Sequence, residues 1–115
     1  MEKNLRYSAL LSLYGNLLTD KQLSTMEYYY DDDLSLGEIA ENTGISRQGV
    51  RDFIKRSEEM LDLYEEKIGL YAKLKCIDRI EQSALKIKEI NMGAWSNKTI
   101  DTLSSEIIDM AQKLK

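Results

Sequence analysis

The side chains with the most chemistry to offer lie in residues 46–56, SRQGVRDFIKR. Arg47, Arg51, Lys55 and Arg56 face a single acid, Asp52, which leaves a local surplus of three positive charges. The whole chain carries 16 basic and 20 acidic residues, a net charge of −4. A chain of that balance does not coat nucleic acid indiscriminately, but a basic patch on an acidic body can hold a polyanion in one orientation. Arginine grips guanine edges with two hydrogen bonds, and glutamine does the same for adenine. Arg47 and Gln48 are therefore candidates for base edges and Arg51 for a base or a phosphate. Lys55 and Arg56 suit phosphates, and Ser46 stands at the start of their helix. The plainer alternative is a set of surface charges paired with acids one turn away, worth only ~0.3–0.5 kcal/mol each.

Other chemistries lack their residues. There is no histidine, the commonest general base and zinc ligand, and only one cysteine. Neither phosphate-cradling glycine motif occurs. Paired carboxylates such as Glu58 and Glu59 are ordinary on helix surfaces. An enzyme is not expected, nor a cofactor or a resident metal. Asp31, Asp32 and Asp33 could in principle ligate a hard cation, yet further oxygen ligands at the required spacing are missing. They read instead as a solvated helix end.

The basic window must be positioned by helices. The sequence contains no proline and only six glycines, so helix breakers are scarce and an all-α fold is expected. Ser35 and Glu38 form a capping box that starts a helix at Leu36, with Leu36, Ile39 and Ala40 on its apolar face. Gly44 can take a positive φ and end that helix. Ile45 tucks under the turn, and Ser46 caps the next helix. That second helix places Val50, Ile54 and Leu61 on one face, beside Phe53, Met60 and Tyr64. Arg47, Gln48, Arg51 and Lys55 fall on the other. Two short helices around a glycine-containing turn make a helix-turn-helix, whose second helix enters the major groove of duplex DNA.

The rest of the chain continues the helical pattern. Residues 4–18 carry two apolar stripes, Tyr7-Leu11-Tyr14-Leu18 and Leu10-Leu13-Leu17, with Gly15 allowing close approach of a neighbour. Thr19 and Gln22 form another capping box. Leu23, Met26 and Tyr30 face inward in the helix that follows. Tyr28–Tyr30 could stack on bases, but aromatics at helical spacing are more often core, here with one ring left exposed. Gly69 marks a break near Ile68. Residues 70–91 are a second long amphipathic segment, with Cys76 expected to be half-buried. Met92, Gly93 and Ala94 form a turn. Ser96 or Asn97 caps a last helix, in which Ile100, Leu103, Ile107, Met110 and Leu114 repeat in a 3-4-3-4 pattern. Trp95, in the connection, is either an anchor on the core, the reading slightly preferred, or an exposed partner contact. The expected organisation is a helix-turn-helix domain over residues 1–66 and a C-terminal helical hairpin over 67–115, packing on it or dimerising. With no run of 18 apolar residues and no signal-peptide core, the protein is expected in the cytoplasm, without membrane insertion.

The segments LLTDKQ, YYYDDDLSLGEIAENTGISRQGV and IKRSEEML resemble the YlxM family of small bacterial helix-turn-helix proteins. The arrangement also looks like the fourth region of bacterial sigma factors. The resemblance covers roughly residues 4–70 and departs from the expected pattern at Gly49 and Arg51. It implies an all-helical, sigma-region-4-like bundle and a regulatory role in the signal recognition particle pathway. The resulting expectation is a DNA-binding regulator that reads duplex DNA through Ser46, Arg47, Gln48, Arg51, Lys55 and Arg56, acting as a homodimer. The alternative is an interaction module of the signal recognition particle that contacts its protein or its RNA without sequence-specific DNA binding.

Overall fold

The computed structural model describes residues 3–93 and 95–115. Among these residues the chain forms six α-helices and no strand. They are α1 (Leu5–Tyr14), α2 (Asp20–Tyr30), α3 (Leu36–Thr43), α4 (Arg47–Ile68), α5 (Leu70–Ile90) and α6 (Lys98–Leu114). The chain divides into two compact units, one up to Tyr71 and one from Ala72.

The first unit is built around α4, against which α1, α2 and α3 all pack. Val50, Ile54, Ser57 and Leu61 recur at helical spacing along α4 and are all fully buried. Leu10, Met26 and Ile39 meet them from the other three helices, each with no exposed surface. Removing such side chains from water is the main term holding the bundle, roughly 1.5–3 kcal/mol for each large aliphatic. Ser57 stands out as a hydroxyl in an apolar stripe. Its hydroxyl donates back to the carbonyl of Phe53 at 2.8 Å, so no polar atom is left bare.

Both capping boxes form as the spacing requires. The Thr19 hydroxyl accepts from Gln22 N at 3.2 Å and the Gln22 side chain accepts from Thr19 N at 3.0 Å. Ser35 and Glu38 exchange the equivalent bonds at 3.1 Å each. Gly44 and Gly69 end α3 and α4 with φ of 74° and 70°, where a side chain would be strained. Acids at the end of α2 oppose the helix dipole, and the helix stops there, with Asp31, Asp32 and Asp33 all exposed. Asp33 forms an ion pair with Lys3.

Some expectations needed correction. The first helix does not run to Leu18: it tightens into a 3-10 turn over Gly15–Leu17, which turns Leu17 to solvent and takes it off its expected stripe. Gly15 does permit close approach, because a Cβ there would lie 2.9 Å from Leu23 Cδ1. Tyr29 is the buried ring of its trio, and Tyr28 and Tyr30 are both half-buried, so none is left exposed for stacking.

In the second unit α5 and α6 run antiparallel. Lys88 Nζ donates to Ser105 Oγ at 3.0 Å near one end, and Lys115 Nζ reaches Asp78 and Glu81 at 2.9 and 3.0 Å near the other. Asn97 caps α6, accepting from Thr99 N and Ile100 N at 2.9 and 3.2 Å. Cys76 is exposed rather than half-buried. Trp95 is 97% exposed and anchors nothing. The hairpin's interior is narrow: only Glu81, Ala84, Ser104 and Ala111 are fully buried, with Leu74, Ile77, Ile107 and Ile108 half-buried, and Cys76 falls outside it. Ala94, in the expected turn, lies outside the described residues; the adjoining Gly93 has a φ of 126°.

Candidate nucleic-acid interface

The site begins at the turn between α3 and α4. Thr43 closes α3 by donating its hydroxyl to Ile39 O at 2.8 Å, and Gly44 turns the chain. Ile45 is half-buried against the core. Ser46, in extended backbone, accepts from Gly49 N at 3.0 Å and so satisfies a free N–H at the start of α4. Gly49 has a positive reason to be glycine. A Cβ there would sit 2.7 Å from Ile45 Cγ2 and 3.1 Å from Ser46 Oγ, so the tight turn and its cap both need the space.

From that anchored start, Ser46, Arg47, Gln48, Arg51, Lys55 and Arg56 are all exposed. Among the described residues, Arg47, Arg51 and Arg56 take part in no ion pair. Arg47 lies over the first turn of α3, its guanidinium close to Gly37, where an added Cβ would be 3.8 Å from Nε. The two helices of the motif therefore share this side chain. Gln48 is engaged: its amide donates to Asp52 Oδ1 at 3.0 Å, one turn along α4. To meet a base edge Gln48 must leave that exposed bond, a small cost beside a bidentate contact.

One flank of α4 explains why the cations are left over. Arg47, Arg51, Lys55, Glu58, Asp62 and Glu65 follow one another in steps of three or four residues, so they share a side of the helix. The sign changes after Lys55. The three acids are then taken up by side chains of α1 and α2. The Tyr7 hydroxyl donates to Asp62 Oδ2 at 2.7 Å, and Arg6 Nη1 reaches Asp62 Oδ1 at 2.6 Å. The Tyr14 hydroxyl donates to Glu65 Oε1 at 2.6 Å, and Tyr30 hydrogen-bonds Glu58. The bond to Asp62 and burial push the Tyr7 hydroxyl up to about 12. Burial also pushes the Glu58 carboxyl up, and the Tyr30 hydroxyl only partly offsets it. The acids of this flank are thus committed to the fold, and the cations are turned to solvent. The tyrosine partners were not legible beforehand. The acids at 58, 62 and 65 show a shared face, but nothing local says that three tyrosines of other helices would meet it.

Residues 1–102 match the family described as "Putative helix-turn-helix protein, YlxM / p13 like". Similar proteins carry the same designation. The UPF0122 protein YlxM of Bacillus subtilis is 46% identical over 103 residues, covering 90% of this chain and 91% of the relative. A UPF0122 protein of Shouchella clausii is 40% identical over 114 residues, covering 99% and 98%. One from Streptococcus agalactiae is 53% identical over 72 residues, covering 63% and 66%. With a cap, a left-handed glycine turn and a second helix in the places that a helix-turn-helix requires, and with a family match over most of its length, this chain belongs to the UPF0122 family of YlxM / p13-like helix-turn-helix proteins.

Proposed function

We propose that the protein is a DNA-binding regulator that lays the first turns of α4 in the major groove of a duplex. The observation that carries this reading is the exposed cationic start of α4, whose arginines make no ion pair among the described residues while Val50, Ile54, Ser57 and Leu61 of the same helix are buried. A rigid helix with its guanidinium groups in solvent can offer them to bases and phosphates at little cost in ordering. Arg47 and Gln48 contact base edges, Arg51 a base or a phosphate, and Lys55 and Arg56 phosphates, with Ser46 holding the helix start. One reading helix with four bases binds weakly alone, so a homodimer on a two-fold symmetric site belongs to the same reading.

The exposed Asp31, Asp32 and Asp33, close in sequence to the motif, favour a second reading. In it the protein is an interaction module of the signal recognition particle, as the family resemblance implies, and contacts a basic protein or the particle's RNA. The A-form major groove is too narrow for side chains, so the basic helix would then hold RNA backbone by shape.

Gel shifts over a salt series, comparing duplex DNA with the particle's RNA, separate the two. Major-groove docking of the dimer predicts duplex binding whose logarithm falls with log salt at a slope of roughly −3.5 to −5.5, for about two to three phosphate contacts from each chain. Preference for the RNA supports the second reading. If all binding, to nucleic acid and to protein alike, survives Arg47→Ala with Arg51→Ala, the basic helix serves neither role and the bundle binds a protein through another face.

A further inference from the structure

We propose that the α5–α6 hairpin is the surface by which two copies of this chain join. This gives the dimeric reading above its interface, yet it rests on the second unit alone and not on what the basic helix binds.

The hairpin holds too little apolar material inside itself. Its buried residues are Glu81, Ala84, Ser104 and Ala111, none a large apolar side chain. The large ones face outward. Ile80, Ile87, Ile100, Leu103, Met110 and Leu114 are 41–66% exposed. On α6 this pattern is the 3-4 spacing of a helix-packing seam; Ile107 at its middle is half-buried beside α5, and its other four members are turned to solvent. The two stripes meet at Ile107, the middle member of the α6 pattern, which shares a helix side with Leu103, Met110 and Leu114. Cys76, Ile80 and Ile87 of α5 and Ile107 of α6 line a common groove of about 390 Å³.

The size and charge of this face argue for a second copy. Six half-exposed aliphatic side chains offer on the order of 600 Å², close to the ~800 Å² per partner that a standard stable interface removes from water. Residues 72–115 hold eight bases and six acids, interspersed along both helices, so the rim selects neither a polyanion nor a strongly basic partner. A seam of 3-4 spacing is matched by another of the same spacing, and each chain carries one. Two hairpins face to face make a four-helix arrangement that closes on itself through a two-fold axis.

The test is the solution mass of the full chain by sedimentation or light scattering, read beside the reactivity of Cys76, its only cysteine. Two-copy mass is expected. Because Cys76 lines the groove, its rate of reaction with a small disulfide reagent should fall about tenfold or more as protein concentration rises through the association range. Ile87→Glu with Leu103→Glu should give single-chain mass and a Cys76 rate independent of concentration, with helical circular dichroism retained. Leu63→Glu, at an exposed leucine in α4, should leave the two-copy mass intact. Single-chain mass for the natural sequence at ~100 µM, well above the Kd of an ordinary stable dimer, overturns the proposal. So does a stoichiometry other than two, or Cys76 reactivity that ignores concentration; this last measurement needs no variant and holds even if the double substitution fails to fold. A dimer that binds no nucleic acid leaves the interface standing and removes the groove-reading role. A monomer that binds DNA does the reverse.

Discussion

Arg47 and Arg51 are the residues on which nucleic-acid recognition turns. Replacing either by alanine should weaken specific binding by about 1–3 kcal/mol if it reaches a base, and should relax preference at that base. Lys55→Ala should instead weaken all sequences alike and reduce the salt slope by about one for each chain on the site. Fluorescence anisotropy with matched and scrambled duplexes, at several salt concentrations, distinguishes these outcomes. Gly49 yields a prediction of unexpected sign. Helix propensity alone favours alanine there by roughly 1 kcal/mol. The Ile45 methyl 2.7 Å from the would-be Cβ sits on a branched, stiff side chain, and Ser46 Oγ is nearly as close. Gly49→Ala should therefore destabilise the first unit by about 1–2 kcal/mol, seen as a lower midpoint in urea. Read as sequence, Gly49 is a weak spot in a helix; its use shows only when the preceding turn is folded beside it.

α4 is the element that joins stability to recognition. Its cap is local, and Ser46→Ala should cost about 1 kcal/mol in thermal or chemical unfolding without changing the fold. Its flank is not local, and it makes stability depend on pH. Glu58 has its carboxyl pushed up by burial, so the folded state holds that proton more tightly than the open chain does. Stability from this group is full at low pH and is lost as pH rises through the raised value. Glu58→Gln should then raise the melting temperature at about pH 7 and have little effect near pH 4, since glutamine keeps an acceptor for Tyr30. Tyr7 acts in the same sense at the alkaline end. Its hydroxyl, bonded to Asp62, titrates at about 12 in the fold against 10.0 ordinarily, so stability falls across that interval. Tyr7→Phe should flatten the melting curve against pH there. A melting temperature for Tyr7→Phe that falls as steeply as the natural protein's between those values would show that the bond is not formed.

At the scale of the whole molecule, the two compact units divide the labour of folding unequally. The large buried side chains, from Leu10 to Leu61, lie in the unit that ends at Tyr71. Leu70 and Tyr71 complete it: Leu70 N donates to the Tyr14 hydroxyl at 3.0 Å and Tyr71 N to Glu65 Oε1 at 2.9 Å. A chain truncated after Tyr71 should still unfold cooperatively, and it should lose self-association. Equilibrium urea unfolding and sedimentation of that fragment check both outcomes; a molten, non-cooperative fragment would show that residues 72–115 are needed for the first unit's core. Among the described residues no helix is long and apolar enough to cross a membrane.

Caps, breaks and the buried stripe of α4 could be read directly from the chain, because each depends on residues within about four positions of one another. Thr19 with Gln22, Ser35 with Glu38, Gly44, Ser46 and Gly69 act through their own neighbours' backbone, and no distant contact overrides them. Burial is different, since it depends on which helices are close enough to cover a face. Cys76 and Leu103 carry the composition of a core, yet the narrow α5–α6 hairpin leaves them in water, and Trp95 in the connection is exposed as well. Ser57 and Glu81 carry the composition of a surface and are enclosed. Which cations stay free was likewise settled in three dimensions. Sequence puts Arg47, Arg51 and Lys55 in line with Glu58, Asp62 and Glu65, but only the packed bundle brings Tyr7, Tyr14 and Tyr30 to the acids and leaves the basic turns of α4 facing solvent.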